Sequence, residues 1–203
     1  MRKPLLLAAA AAIALAGPAM AQSQTQRAQA AQGQNGSGTG VQQAPSSSAS
    51  GRRGTGSAEV TTTAGFVRTA AISDMYEIES ARLATQRSSN AAVKAFAQHM
   101  MQDHEATTAQ LSSAVHAMNG PSPPTSMDSR HTEMLTQLRN ARASDFDRLY
   151  ITQQIAAHQN AVDLFRTYGQ DGDNAQLKQW ASTTLPKLQE HLTMAQQLRG
   201  QHS

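Results

Sequence analysis

The sequence between residues 91 and 121 reads AAVKAFAQHMMQDHEATTAQLSSAVHAMNGP. Its apolar side chains recur every three or four residues, which is the spacing that places them on one face of an α-helix. The residues of this stripe are Val93, Phe96, Ala97, Met100, His104, Leu111, Val115 and Met118. Asn119 and Gly120 can adopt a left-handed backbone conformation, and Pro121 cannot continue a helix. We therefore predict one long amphipathic helix, helix B, over 91–118.

The same periodicity extends on both sides of helix B. It predicts helix A at about 62–88, a short helix at about 128–141, helix C at about 146–168 and helix D at about 174–199. Ser144 and Asp145 are expected to cap helix C, and Gly169 with the turn Asp171-Gly172-Asp173 to end it. Amphipathic helices of this kind can bury their apolar faces only against each other. The predicted fold class is therefore all-α, a four-helix bundle with a short extra helix in the connection between helices B and C.

Several short motifs along these helices resemble those of a known family. They are Phe66, Asp74-Met75-Tyr76-Glu77-Ile78-Glu79, Leu83-Ala84, Val93 to Ala97, Met100 to His104, Leu111, Phe146-Asp147, Tyr150, His158, Ala181, Leu185-Pro186 and His191. In this order they resemble the exported ferritin-like family called domain of unknown function 4142, over about residues 61–198. The resemblance implies a ferritin-like bundle and export from the cytoplasm. It implies no activity, because the family has no established shared one.

Residues 1–21 have the pattern of a secretion signal. Two basic residues precede the apolar run Leu5–Ala16, and Ala19-Met20-Ala21 offers the small side chains that a signal peptidase needs. A run of twelve apolar residues is too short to span a bilayer, which takes roughly 20. We therefore predict cleavage near Ala21-Gln22, no transmembrane segment in the mature chain, and a periplasmic or secreted protein.

Residues 22–60 are rich in Gln, Gly and Ser and nearly free of large apolar side chains, so we predict a disordered tether before a bundle domain at 61–203. The whole chain has 17 basic and 14 acidic residues and a formal charge of +3. The first 60 residues hold five of the basic residues and one of the acidic ones, which leaves 12 and 13 in the predicted domain. A nucleic-acid partner is not supported by such a balance. The absence of cysteine excludes disulfides and thiolate metal ligands.

Four ionisable residues fall on the apolar stripes, one on each long helix: Glu77, His104, His158 and His191. Buried ionisable groups need partners. At a rise of about 1.5 Å per residue, the first three should meet near the middle of the bundle, whereas His191 should be displaced by ~9 Å toward one end. The remaining histidines, which we expect on solvated faces or at chain ends, are His99, His116, His131 and His202.

One hypothesis for these residues is a metal site. Glu77, His104 and His158 would bind a divalent transition metal, with Asp103 or His191 in support, since one carboxylate and two imidazoles form a suitable ligand set. Metal-dependent redox activity would be a further option for such a site. A di-iron centre of the ferritin type is not favoured, because it needs Glu-x-x-His on two helices and none of the three stripe histidines has Glu three residues before it.

The other hypothesis is a structural polar network. In that network His191 pairs with Tyr150 or Asp147, and the buried polar groups fix the register of the helices. The leading functional hypothesis from sequence is then an exported, non-enzymatic bundle protein that acts through its helix faces on an unknown protein or envelope partner, with a role in stress tolerance suggested by analogy. No cofactor is required in this case.

Overall fold

The computed structural model describes residues 59–201, in which four long helices and one short helix form the predicted all-α bundle. Their bounds are α1 Thr63–Arg87, α2 Ala91–Ala117, α3 Ser129–Asn140, α4 Ala143–Asp171 and α5 Ala175–Gln201. The long helices α1 and α2 pair as one hairpin and α4 and α5 as another, and α3 is the short helix in the connection between them. The sequence prediction of a four-helix bundle with a short extra helix is confirmed.

Side-chain caps fix where the first two helices begin. The hydroxyl of Thr62 accepts a hydrogen bond from the Gly65 amide at 3.1 Å, and the amide oxygen of Asn90 accepts from the backbone N–H of Ala92 at 2.8 Å. These bonds satisfy amides that have no partner within the first helical turn. Asn119, with φ of 51°, provides the left-handed residue after α2. The predicted bounds of helices A and B are therefore correct to within one residue.

Helix α4 is longer than the sequence indicates. It begins at Ala143, so Ser144 and Asp145 lie inside the first turn instead of capping it, and it continues through Gly169 to Asp171. Gly169 serves close packing here, because a Cβ at this position would lie 2.8 Å from the Ser182 hydroxyl of α5. The predicted turn Asp171-Gly172-Asp173 does end the helix, whereas Gly169 lies inside it and serves helix contact.

The core consists of two apolar clusters with a polar layer between them. One cluster centres on Phe66, Phe165 and Tyr168, where the rings of Phe66 and Tyr168 stack at 4.0 Å. The other centres on Phe96 and Tyr150. Each long helix has a buried ionisable residue along its length. Residues of one apolar cluster precede that residue in the sequence, and residues of the other cluster follow it. The bundle therefore holds a polar layer near its middle, sealed by apolar side chains along the axis in both directions.

The ends of the chain lie outside the described residues. The predicted signal at 1–21, its cleavage near Gln22 and most of the tether fall there. Glu59 and Val60, which we assigned to the tether, are helical, and Val60 packs against the first apolar cluster, so ordered structure begins before residue 61. Within 59–201, no helix combines the length and the apolar character that crossing a membrane requires.

Candidate metal centre

Three histidines from three helices meet in the polar layer: His104 of α2, His158 of α4 and His191 of α5. Their ring centroids lie 5.6 Å apart for His104 and His158, 5.5 Å for His104 and His191, and 5.3 Å for His158 and His191. One nitrogen from each ring lies within 4.8 Å of the others. All three residues are at most 2% exposed. We call this group the inner site.

A hydrogen bond sets the tautomer of each neutral ring. His158 Nδ1 lies 2.9 Å from the Gln154 carbonyl oxygen, which can only accept, so Nδ1 carries the proton. His104 Nδ1 donates likewise to Asp74 Oδ1 at 2.8 Å, and His191 Nε2 donates to Asp103 Oδ2 at 2.8 Å. The opposite nitrogens, His104 Nε2, His158 Nε2 and His191 Nδ1, are buried and have no hydrogen-bond partner among the described residues. Each neutral imidazole therefore keeps one free lone pair, and proteins bind metals through imidazoles oriented in this way.

Asp74 orients His104 and is itself held in place. Its Oδ2 accepts hydrogen bonds from the hydroxyls of Thr107 at 2.9 Å and Thr108 at 3.1 Å, while Oδ1 binds His104. Sequence reasoning missed Asp74. The available signal was its position three residues before Glu77, which places both carboxylates on the same face of α1.

Asp103 connects the inner site to the surface. Its Oδ2 binds His191 and also lies 3.3 Å from His99 Nε2, and its Oδ1 accepts from Lys187 Nζ at 2.8 Å. Burial alone would raise the pKa of Asp103, but the hydrogen bonds from Lys187 and His191 and the positive charge of Lys187 lower it overall. The Asp103 side chain is 12% exposed and that of His99 is 39% exposed, so this second group reaches from solvent to the core.

Burial keeps two of the inner histidines neutral. Burial, together with the nearby His104 and His191, lowers the pKa of His158 to about 3. Burial also lowers the pKa of His191 to about 4, although its bond to Asp103 acts in the opposite direction. For His104, burial alone would lower the pKa, but the hydrogen bond and negative charge of Asp74 raise it overall. Only neutral imidazole binds a metal, so at neutral pH His158 and His191 are already in the required form.

Glu77 lies beside the inner site and not in it. Its Oε2 accepts from Gln154 Nε2 at 2.7 Å, and its Oε1 lies 3.9 Å from His158 Nδ1, the nitrogen that faces away from the free lone pairs. Burial raises the pKa of Glu77 to about 7. Among residues 59–201, the sets of three possible metal ligands whose ligand atoms lie within 4.8 Å of one another contain His191, and none contains Glu77. The structure thus replaces Glu77 by His191 in the ligand set that the sequence suggested.

The family model "Domain of unknown function (DUF4142)" matches residues 46–198. The chain belongs to this family. The resemblance seen in the sequence is confirmed, and the matched region begins before residue 61. No curated protein matches the chain. Among solved structures it is similar to one described as "CopM in the Cu(II)-bound form", with a TM-score of 0.60 and 20% identity, covering 70% of this chain and 98% of that one. At this identity the likeness shows the helical fold alone.

In this DUF4142 domain the predicted displacement of His191 is wrong. His158 lies 13 residues before the end of α4 and His191 lies 16 residues after the start of α5. The two positions therefore differ by three residues, which is ~4.5 Å along the bundle axis. Side chains on a helix also tilt toward its N-terminus, so on these antiparallel helices the two rings point toward each other. The unexpected extension of α4 to Asp171 accounts for most of the error.

The predicted network of His191 with Tyr150 or Asp147 is also wrong. His191 pairs with Asp103, and within the described residues the Tyr150 hydroxyl and Asp147 Oδ1 have no hydrogen-bond partner. Tyr150 precedes His158 by eight residues on α4, which places it ~12 Å away along the helix. Its ring packs in the second apolar cluster instead.

Two of the histidines expected to be solvated are partly buried. His99 contacts Asp103, and His131 Nδ1 lies 2.7 Å from Asp128 Oδ1 with 18% of its side chain exposed. His116 is exposed as expected. His202 lies outside the described residues.

Proposed function

We propose that this DUF4142 protein binds one divalent transition-metal ion at the inner site, through His104 Nε2, His158 Nε2 and His191 Nδ1. The observation that supports the proposal is the convergence of three buried imidazole nitrogens that have no hydrogen-bond partner among the described residues. The opposite nitrogens bind two carboxylates and a backbone carbonyl, the usual arrangement behind metal-ligating histidines.

The free energy of the polar layer favours metal binding over a purely structural network. A structural network is stabilising when all its members are paired. Leaving a buried polar atom unpaired costs about 1–3 kcal/mol for each group. Three such groups at one point are difficult to explain by packing alone, whereas a metal ion would satisfy all three.

The ligand chemistry narrows the class of metal. Imidazole nitrogens suit zinc, copper, nickel and iron, whereas calcium and magnesium take oxygen ligands. Among divalent first-row ions, copper binds nitrogen sites most tightly. The solved neighbour described as Cu(II)-bound supports copper as the first ion to test. Three protein ligands would leave a coordination position for water or a small ligand, and redox activity at that position stays a prediction.

Export is part of the proposal and is supported by the signal pattern at 1–21. Mass spectrometry of the protein recovered from the periplasm or the medium should find an N-terminal peptide that begins at Gln22. Recovery of the intact N-terminus from the cytoplasm alone would contradict it. The hypothesis of a non-enzymatic partner protein with a role in stress tolerance stays a prediction, and no contact in the described residues speaks for it.

The binding proposal is tested by titrating the full chain, made without a histidine tag, with Cu²⁺ and Zn²⁺. Bound metal is measured after equilibrium dialysis. We expect one ion per chain in the wild type and in a control, His116→Leu, which changes an exposed histidine on the same helix as His104. We expect none in His158→Leu, provided that circular dichroism shows the helices intact. Absence of stoichiometric metal in the wild type, or full binding by His158→Leu, would refute the proposal.

A further inference from the structure

A second group of possible ligands adjoins the inner site. His99, Asp103 and His191 offer ligand atoms within 4.8 Å of one another, and we call them the outer site. His191 belongs to both sites, with Nε2 directed to the outer one and Nδ1 free for the inner one. The ring centroids of His99 and His191 lie 5.4 Å apart, about the same separation as between His191 and His158. The two sites therefore form a chain of donors from the surface to the core.

We propose that the outer site is the route by which a metal ion reaches the inner site. The proposal rests on the proposed function and concerns how the ion arrives, not where it finally binds. The apolar clusters lie along the bundle axis on both sides of the polar layer, so an ion would enter between two helices. The ligand group that reaches solvent, His99 and Asp103 of α2 with His191 of α5, lies between α2 and α5. His99 is the member of the two sites with the largest exposed surface at that side.

A surface groove leads to His99. It encloses about 410 Å³ between α2 and α5, and its walls include Phe96, His99, Met194 and Leu198. The Met194 thioether and the His99 imidazole are both donors that copper accepts. An ion in the groove would thus find its first nitrogen ligand at His99 and its first carboxylate at Asp103.

The hydrogen bonds of Asp103 suggest how the ion passes His191. A single oxygen, Oδ2, lies 2.8 Å from His191 Nε2 and 3.3 Å from His99 Nε2. A cation bound to this oxygen would compete with the N–H of His191 for it. Once that hydrogen bond is broken, the ring of His191 is free to turn, and ligand exchange can deliver the ion to the three inner lone pairs.

Lys187 makes the outer site a poor place for an ion to stay. Its ammonium lies 2.8 Å from the other oxygen of Asp103, so it already neutralises the carboxylate and repels a divalent cation. Asp74, the carboxylate behind the inner site, binds His104, Thr107 and Thr108, and no lysine or arginine among the described residues bonds to it. The difference in charge favours movement of the ion inward.

Stopped-flow loading of the full chain with Cu²⁺ tests this route. If His99 binds the ion only on its way inward, His99→Ala raises the free-energy barrier to loading. It leaves unchanged the free energies of the metal-free protein and of the protein with the ion at the inner site. Its association and dissociation rates should then both fall, by at least about fivefold, while the dissociation constant and the stoichiometry of one hold. His116→Ala, an exposed histidine on the same helix, is the matched control and should load at the wild-type rate.

The possible outcomes are distinguishable. Unchanged rates in His99→Ala would overturn the route and leave the inner site intact. A weaker dissociation constant with an unchanged association rate would make His99 a ligand of the resting site, which also overturns the route. Absence of binding by the wild type overturns both proposals at the equilibrium step. Lys187→Met should retain a second Cu²⁺ at the outer site, and an unchanged stoichiometry would refute the role of Lys187.

Discussion

Replacement of His158 by leucine should stabilise the metal-free protein while it abolishes metal binding. His158 is 1% exposed, and its Nε2 has no hydrogen-bond partner among the described residues. Its Nδ1 donates to the Gln154 carbonyl, the carbonyl that a regular helix pairs with the backbone N–H of residue 158. Leucine of similar volume therefore removes an unpaired acceptor and leaves that carbonyl with its backbone partner.

The size of the effect follows from two opposing terms. Removing a buried, unpaired polar group is worth about 1–3 kcal/mol. Imperfect packing of a side chain of similar volume costs up to about 1.5 kcal/mol. We expect the free energy of unfolding to rise by about 1–2 kcal/mol, which for a domain of this size corresponds to an increase in Tm of about 3–8 °C.

Thermal and guanidinium unfolding, followed by circular dichroism at pH 7.5 with a chelator, measures the difference. The control is His116→Leu, which makes the same change at an exposed site of the bundle and should alter the stability little. Adding Cu²⁺ at 100 times its dissociation constant should then stabilise the wild type by about 2.7 kcal/mol and the variant not at all, which reverses their order. If His158→Leu is less stable than the wild type by more than about 1 kcal/mol in chelator, the imidazole is paired in the metal-free protein and the argument for a metal fails.

Three further results are expected. Asp103→Asn should weaken Cu²⁺ binding about 10–100-fold in a competition titration, because it loosens the orientation of His191. The stability of the metal-free protein should be greatest near pH 6.5. Below this pH the unfolded chain binds two protons, at His158 and His191, which the folded chain does not bind because their folded pKa values are about 3 and 4. The folded chain binds only one extra proton, at Glu77, whose folded pKa is about 7. The net difference of one proton should lower the free energy of unfolding by about 1.4 kcal/mol for each pH unit between 6.5 and 4.5, as measured by guanidinium titrations. Metal uptake at pH 6.5 should release a proton from His104, whose pKa is raised, and an indicator dye would detect it.

The sequence predicts which histidines point inward but not which of them meet. Helical periodicity placed His104, His158 and His191 on buried stripes, and all three are buried. Relative height depends on where each helix begins and ends, and the sequence cannot show that Gly169 lies inside α4. An error of a few residues at that end was enough to separate His191 from the others. The estimated height of Glu77 favours it as a ligand, but helical periodicity does not give the direction of its carboxylate.

The sequence hypothesis names Asp103 in support of the metal site but not as the partner of His191, and it omits Asp74, for a different reason. Asp74 and Asp103 lie at the edges of the helix stripes, where an acidic residue is usually solvated. Their role depends on partners from another helix: Asp74 contacts His104 and Thr107 of α2, and Asp103 contacts His191 of α5. Such pairs depend on how each helix is rotated about its axis, which periodicity leaves open to within a residue or two.

The position of the inner site gives a bound metal a structural consequence. Its three ligands come from α2, α4 and α5, so one ion would join the α1–α2 hairpin to the α4–α5 hairpin through their polar layer. Without metal, three unpaired polar atoms at about 1–3 kcal/mol each weigh against a total stability of typically about 5–15 kcal/mol. The apolar clusters on either side must therefore hold the metal-free bundle together. Metal binding would turn the least favourable layer of the core into a link between the two hairpins, which ties the stability of the fold to the availability of the ion.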